Sequence, residues 1–118
     1  MAKILIVDDE EINSRVLEKI LQRYGHEIRI ACSSRDALQL AGSFGPDVVL
    51  TDILLPEIDG YELARLLKEQ CPVKPRVIAV TGYSSEEADK GAFLDGFLVK
   101  PVSVEQLLQA IDPAALPS

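Results

Sequence analysis

Residues 47–52, with the sequence DVVLTD, form an apolar run that ends on a carboxylate. The run does not alternate between polar and apolar residues, which is typical of a strand covered on both faces of a parallel sheet. Parallel strands need crossover connections, and these are usually helices. The stretch therefore predicts an α/β fold in which Asp52 lies just beyond the carboxyl end of a central strand.

Three other apolar runs also end on residues whose side chains can take part in phosphoryl or metal chemistry. These are Lys3–Val7 before Asp8 and Asp9, residues 77–80 before Thr81, and residues 97–99 before Lys100. In an open parallel sheet, ligands bind in the crevice at the carboxyl ends of the strands. We therefore expect three carboxylates, a hydroxyl group and an ammonium group to meet at one edge of the sheet.

Strand and helix patterns alternate along the chain and give five strand–helix units. The second strand, Glu27–Ala31, has no candidate functional residue at its end, which suits an edge position. Because parallel crossovers are right-handed, we predict a doubly wound, flavodoxin-like sheet of five parallel strands in the order 2-1-3-4-5, with helices on both faces. The first helix signal is apolar spacing over 12–24, ended by Gly25. A cap at Ser33 or Ser34 begins a second helix that runs to Leu40 and is broken by Gly42, Gly45 and Pro46. A third helix runs to about Gln70, and capping boxes at Ser84–Glu87 and Ser103–Gln106 begin the last two.

The bulk properties of the sequence limit the classes of protein that it can belong to. Its 118 residues fit one domain, 1–118, with a tail at 112–118 and no effector domain. A formal net charge of −7 disfavours direct binding to nucleic acid. No apolar stretch reaches the roughly 18 residues of a membrane span, and no signal-peptide pattern precedes the first strand. We therefore expect a cytoplasmic protein without nucleic-acid or membrane partners.

The polar residues at the strand ends are more informative together than singly. Alone, paired acids often cap a helix, Asp52 could begin a turn, and Lys100 could be a surface charge. Together, carboxylates about 4 Å apart repel by about 4 kcal/mol per pair at a moderate effective dielectric. A hard divalent cation offsets this repulsion, and Mg²⁺ suits a site of carboxylates, phosphate oxygens and water. One carboxylate could then attack a phosphoryl group and hold it as an acyl phosphate.

The same residues carry a resemblance to a known family over essentially the whole chain. The matching pieces are residues 4–9 (ILIVDD), Asp52 followed by Leu55-Pro56 and Asp59-Gly60, Thr81-Gly82, and residues 97–101 (FLVKP). In this order and spacing they resemble a response-regulator receiver domain of the single-domain, chemotaxis-regulator-like kind. The resemblance implies a phosphoacceptor of two-component phosphorelays, with no enzyme activity beyond self-phosphorylation and self-dephosphorylation.

The resemblance also implies a phosphoacceptor and a metal site. Asp52 would accept phosphate from the phosphohistidine of a sensor histidine kinase or a histidine phosphotransfer protein, with Mg²⁺ as the cofactor. The implied metal ligands are Asp8 through water, Asp9, Asp52 and the backbone carbonyl of Leu54.

Other implied roles concern the response to phosphorylation. Lys100, with a cis bond to Pro101, would pair with the phosphoryl group. Thr81 and Phe97 would move as switch residues. They would change a binding surface made of the predicted fourth helix, fifth strand and fifth helix, which an unidentified downstream protein recognises. Taken alone, Phe97 fits equally well as a core aromatic residue of the last strand.

Two positions that vary within the resembled family carry bulky residues here, Leu54 and Tyr83. They lie two residues after Asp52 and two after Thr81. Hydrolysis of an acyl phosphate needs a water molecule aligned with the phosphorus atom. Because these side chains would obstruct that water, or fail to orient it, we expect slow self-dephosphorylation.

Two other classes of protein remain as alternatives. An aspartyl-phosphate hydrolase or transferase of Rossmann-like fold also uses Asp, Thr and Lys, but typically has an acidic residue at the position of Leu54 and needs a cap domain. A flavodoxin-like binding module would need a phosphate loop rich in glycine or hydroxyl groups after the first strand, and this sequence has none there. Neither class explains the Lys100-Pro101 pair.

Overall fold

A computed structural model of the chain describes residues 2–55, 57–72, 74–82 and 93–111. Its elements are β1 (Lys3–Val7), α1 (Glu11–Gln22), β2 (Glu27–Ala31), α2 (Ser34–Phe44), β3 (Val48–Thr51), α3 (Gly60–Gln70), β4 (Arg76–Thr81), β5 (Gly96–Val99) and α4 (Val104–Ile111). The label α4 therefore denotes the helix predicted as the fifth. The predicted fourth helix, which starts near Ser84, lies outside the described residues, as do Pro56, Tyr83 and the tail 112–118.

The five strands form one parallel sheet in the order β2-β1-β3-β4-β5, which confirms the predicted topology. The register pairs Val7 with Thr51 and Thr51 with Ala79. Strands β1 and β3 therefore end at the same level, so Asp8 and Asp52 emerge side by side. This arrangement puts the crevice between the two central strands, as expected for this strand order.

Successive residues of the strands point to opposite faces of the sheet, and each face has its own hydrophobic core. On one face, Ile4, Leu50 and Ile78 pack in a cluster with Leu21 of α1 and Leu107 of α4. On the other face a second cluster combines strand residues with residues of α2 and α3, namely Leu5, Val7, Ala31, Ala37, Ala41, Val49, Leu63, Ala64, Leu67 and Val77. Helices thus cover both faces, as predicted. Among the described residues, none of the helices has the length and apolar character to cross a membrane.

Capping residues fix where α2 and α4 begin. Ser33 accepts a hydrogen bond from the Asp36 N–H at 3.2 Å and caps α2. The predicted capping box of α4 is confirmed, because the Gln106 N–H donates to Ser103 Oγ at 3.1 Å and the Ser103 N–H donates to Gln106 Oε1 at 3.0 Å. These bonds satisfy amide groups that have no partner inside a helix.

The prediction that α2 ends at Leu40 and is broken at Gly42 is wrong, because the helix continues through Gly42 to Phe44. A glycine inside a helix costs only about 1 kcal/mol relative to alanine, and the packing of Ala37 and Ala41 against the sheet outweighs that cost. The helix ends at Gly45, which was also among the predicted helix breakers and whose φ of 64° is in the left-handed region. Its N–H donates to the Ala41 carbonyl at 3.2 Å, which closes the last turn.

Alanine substitutions at Gly42 and Gly45 are therefore expected to have opposite effects on stability. A Cβ atom at either position would meet nothing within 4 Å, so the backbone conformation alone decides the sign. Gly42→Ala should raise the free energy of unfolding by about 0.5–1 kcal/mol. Gly45→Ala should lower it by about 1 kcal/mol, because alanine disfavours positive φ. Urea denaturation of both variants measures the difference, and equal effects would contradict the assignment of the helix end.

Candidate functional site

The carboxyl edge of the sheet brings together Asp8, Asp52 and Lys100, as the sequence predicts. Lys100 Nζ lies 3.7 Å from Asp8 Oδ2 and 3.8 Å from Asp52 Oδ2, so one ammonium group faces two carboxylates. The backbone holds these residues in place. The Asp52 N–H donates to the Val7 carbonyl at 3.0 Å, and the Lys100 N–H donates to the Thr81 carbonyl at 2.7 Å. The attraction offsets part of the repulsion between the two carboxylates.

The two carboxylate oxygens of Asp52 have different surroundings. Oδ1 accepts hydrogen bonds from the backbone N–H groups of Ile53 at 2.7 Å and Leu54 at 3.3 Å. Oδ2 is the oxygen that faces Lys100. The Asp52 side chain is 16% exposed, so the group is held in a fixed orientation at a site that solvent and small molecules can reach. A held and partly exposed carboxylate of this kind is suited to nucleophilic attack.

Asp8 is the more deeply buried acid, at 4% exposure. Its Oδ1 accepts a hydrogen bond from the Glu10 N–H at 2.9 Å. Burial raises the pKa of the Asp8 carboxyl above its ordinary value. The Glu10 N–H and the charge of Lys100 oppose this rise, and the charges of Asp52 and Asp9 add to it. The folded protein therefore disfavours the ionised form of Asp8, and a further cation at the site would favour it.

Asp9 is exposed at the rim of the site, directly after Asp8. In the part of the chain that the structure describes, no three Asp, Glu, His or Cys side chains are grouped so that they could hold a metal ion by themselves. The nearby donors are nevertheless all oxygen atoms, which are the ligands that hard cations prefer. Mg²⁺ is commonly bound through one or two carboxylates while water molecules fill its remaining positions. The donor set therefore fits Mg²⁺ better than a softer metal.

The other predicted site residues lie around this group. Thr81 ends β4 and is buried, and Phe97 is half-buried on the edge strand β5. The Lys100–Pro101 peptide bond is cis. Leu54 is 56% exposed beside Asp52, whereas Tyr83 lies outside the described residues.

Two residues contact the backbone beside Asp52 although the strand-end pattern did not single out their roles. Thr51 Oγ1 donates a hydrogen bond to the Asp52 carbonyl at 2.9 Å. The Gly60 N–H donates to the Ile53 carbonyl at 2.8 Å. The sequence contains a signal for the Gly60 contact, because a glycine directly follows Asp59, the residue that caps α3. It contains no signal for the Thr51 hydrogen bond, since threonine is common in strands.

Comparison with known proteins supports the significance of this arrangement. The sequence matches the family described as Response regulator receiver domain over residues 4–112. It is 35% identical over 114 residues to the DNA-binding transcriptional regulator NtrC of Proteus hauseri, a match that covers 94% of this chain but 24% of NtrC. It is 32% identical over 112 residues to the polar-differentiation response regulator DivK of Brucella ovis, which covers 92% of this chain and 91% of DivK.

A solved structure gives the same result for the fold. The response regulator protein TrrA of Thermotoga maritima, in complex with Mg²⁺-BeF, matches with a TM-score of 0.87 and 31% sequence identity. The match covers 96% of this chain and 98% of TrrA.

The raised pKa of Asp8 predicts that Asp8→Asn stabilises the metal-free protein at pH 7, because the substitution removes a disfavoured buried charge. The folded pKa lies above the unfolded value, so wild-type stability falls as the pH rises from the unfolded pKa through the folded one. The gain should therefore be smallest in acid and largest near neutrality. Urea denaturation in the presence of a chelator at a series of pH values measures it. The exposed Asp36 provides the control, since Asp36→Asn should bring no gain. An Asp8→Asn variant no more stable than wild type at pH 7 would contradict the prediction.

Proposed function

Because the chain belongs to the response regulator receiver domain family, we propose that Asp52 accepts a phosphoryl group from a histidine kinase or a histidine phosphotransfer protein. Receiver domains are signalling domains that respond to such donors and act on downstream targets. The observation that supports this assignment most directly is the different surroundings of the two Asp52 carboxylate oxygens. Oδ1 is held by two backbone N–H groups, while Oδ2 faces the Lys100 ammonium. The chemistry of this chain would be limited to its own phosphorylation and dephosphorylation, and its expected location is the cytoplasm.

In the proposed transfer, a carboxylate oxygen of Asp52 attacks the phosphorus atom of a phosphohistidine. The bond from phosphorus to the imidazole nitrogen breaks, the nitrogen takes the electron pair and later a proton, and an acyl phosphate forms on Asp52. The Lys100 ammonium lies close enough to offset negative charge on the transferring oxygens. Hydrolysis by water then returns the carboxylate and releases inorganic phosphate.

The residues that would hold Mg²⁺ are Asp8, Asp9, Asp52 and the backbone carbonyl of Leu54. When bound, the ion would offset the negative charge of the carboxylates and of the phosphoryl oxygens. The oxygen donors around Asp8 support this proposal, as does the Mg²⁺-BeF complex of the similar protein TrrA. The raised pKa of Asp8 supports it too, because a buried carboxylate whose charge is disfavoured gains from a cation.

The proposed output is a change in the surface that contains the predicted fourth helix, β5 and α4. Thr81 and Phe97 would connect the site to this surface. Phe97 lines a shallow cavity of about 390 Å³ together with residues of β5 and α4. A half-buried aromatic residue is less confined than a fully packed core residue, which supports a switch role for Phe97. The downstream partner that recognises the surface is a protein.

The alternative function, an aspartyl-phosphate hydrolase or transferase, has less support. It requires an acid or base two residues after the nucleophile, and Leu54 at that position carries no titratable group. The Leu54 side chain is exposed, and the backbone N–H of Leu54 contacts the Asp52 carboxylate.

The first test of the proposed function is phosphorylation by a small phosphodonor. Wild-type protein incubated with acetyl phosphate and Mg²⁺ should gain one phosphoryl group that hydroxylamine removes, as expected of an acyl phosphate. Asp52→Asn should gain none, because an amide is a poor nucleophile, and chelation of Mg²⁺ should slow the wild-type reaction at least tenfold, roughly the size of such charge effects. Intact-protein mass spectrometry measures the gain. Asp36→Asn, which changes an exposed acid on α2 in the same way, should be labelled like wild type. Full labelling of Asp52→Asn would exclude Asp52 as the acceptor.

The second test concerns the lifetime of the phosphorylated state. Leu54 offers no hydrogen bond to an attacking water, so Leu54→Asn should speed loss of phosphate roughly tenfold, within the range that alignment of reacting groups controls. A double variant with Tyr83→Glu should decay at least as fast. Val16→Asn provides a matched control, because Val16 is 52% exposed on α1 and Leu54 is 56% exposed. Decay is followed by mass spectrometry after removal of the phosphodonor. Equal decay of Leu54→Asn and wild type would show that Leu54 does not set the lifetime.

A further inference from the structure

Two residues, Thr51 and Gly60, lie against the backbone at the peptide unit that joins Asp52 to Ile53. Thr51 Oγ1 donates a hydrogen bond to its carbonyl oxygen at 2.9 Å. The first residue of α3, Gly60, lies close to the same carbonyl oxygen, and the Gly60 N–H donates to the carbonyl of the next residue, Ile53, at 2.8 Å. Two independent contacts therefore fix the backbone immediately after Asp52.

The Thr51 hydroxyl is buried in an otherwise apolar strand. Thr51 is 1% exposed and follows Val48, Val49 and Leu50, which are also buried. Burying a hydroxyl group is unfavourable unless it forms a hydrogen bond, and valine would fill nearly the same volume without that cost. The bond to the Asp52 carbonyl is therefore the feature of this position that valine could not reproduce.

The position of Gly60 leaves no space for a side chain. A Cβ atom there would lie 2.3 Å from the Asp52 carbonyl oxygen and 2.9 Å from the Ile53 Cα. Both are backbone atoms, so no side-chain rotation could relieve the clash. The φ angle of Gly60 lies outside the left-handed region, so its backbone conformation does not call for glycine. The absence of a side chain is what lets α3 approach the Asp52–Ile53 peptide so closely.

Fixing this peptide also fixes the Asp52 side chain. The peptide group is planar, so a held Asp52 carbonyl sets the direction of the Ile53 N–H. That N–H donates to Asp52 Oδ1 at 2.7 Å. With Oδ1 held, the carboxylate keeps Oδ2 on the side of Lys100 Nζ, 3.8 Å away. The orientation of the reacting group is thus linked to Thr51 and Gly60 through one rigid unit.

We propose that Thr51 and Gly60 are positioning residues for phosphoryl transfer to Asp52, Thr51 through its hydroxyl and Gly60 through its missing side chain. This proposal rests on the proposed function of Asp52 and adds two residues that act through its backbone. Neither residue touches the phosphoryl group, and their effect is to hold the carboxylate in line with the incoming phosphorus atom.

A pair of variants at Thr51 tests the hydroxyl. Thr51→Val keeps the shape of the side chain and removes the donor, whereas Thr51→Ser keeps the donor. Thr51→Val should lower the maximal rate of labelling by acetyl phosphate about tenfold, as expected for a loosened reacting group. The phosphodonor concentration at half-maximal rate should stay unchanged, and Thr51→Ser should restore the rate. The carbonyl ¹³C resonance of Asp52 and the amide resonance of Ile53 should move in Thr51→Val and stay near their wild-type positions in Thr51→Ser.

Gly60→Ala tests the close approach of α3, with Gly42→Ala as its matched control. Both place an alanine in a helix, but a Cβ atom at Gly42 meets nothing within 4 Å. Gly60→Ala should slow labelling at least as much as Thr51→Val, and Gly42→Ala should leave the rate unchanged. The Thr51 variants decide the proposal by themselves should Gly60→Ala fail to fold.

The outcomes separate this proposal from the proposed function. Labelled wild type together with equal rates for Thr51→Val and Thr51→Ser would overturn the positioning role of Thr51 and leave Asp52 as the acceptor. A Gly60→Ala variant labelled at the wild-type rate would overturn the role of Gly60. An unlabelled wild type would overturn the proposed function, and the positioning role with it, because there would be no transfer to position for.

Discussion

The ammonium group of Lys100 between the carboxylates of Asp8 and Asp52 is the interaction on which the site depends. A parallel sheet of this order brings the ends of β1 and β3 to the same level, so two negative charges meet there whatever the surrounding loops do. Their repulsion would be unfavourable without a cation. Lys100 supplies one positive charge from the end of β5, two strands away from β3 in the sheet. The pKa of Asp8 stays raised even so, which leaves the site receptive to a further cation.

The two hydrophobic cores make this arrangement possible. Strand β3 is buried along its whole length, and helices pack against both faces of the sheet. Buried strands of this kind have little freedom to shift, because neighbouring side chains fill the space around them. The strands that position the carboxylates are therefore rigid. The free energy gained by packing the two hydrophobic cores offsets the electrostatic cost of holding these charges near one another.

Much of this organisation could be predicted from the sequence, for physical reasons that also explain the omissions. Continuous apolar runs such as 48–51 indicate buried strands, and strand order follows from which runs end on functional residues. The pattern of strand ends is therefore enough to place Asp8, Asp52 and Lys100 together. It is not enough to place the end of α2, because the choice between Gly42 and Gly45 depends on packing against the sheet and on the backbone angle.

The contacts around the Asp52 backbone were also beyond a reading of sequence patterns. The hydrogen bond from Thr51 runs to the residue next to it, and periodicity carries no information about such a bond. Gly60 was visible as part of a motif, but its purpose appears only when the distance from a Cβ atom to the Asp52 carbonyl is known. Sequence patterns report which residues share a face or an edge, whereas close approach between backbones depends on tertiary packing.

The uneven burial of the strands has a consequence for motion within the domain. Strand β3 is fully buried, while β5 is an edge strand whose residues are all partly or largely exposed. Local opening costs least free energy where few apolar contacts must be broken. Amide hydrogens of β5 should therefore exchange with solvent faster than those of β3. Asp8 and Asp52 thus follow the well-buried strands β1 and β3, whereas Lys100 follows the more exposed strand β5. Fluctuations of the site should therefore begin at Lys100.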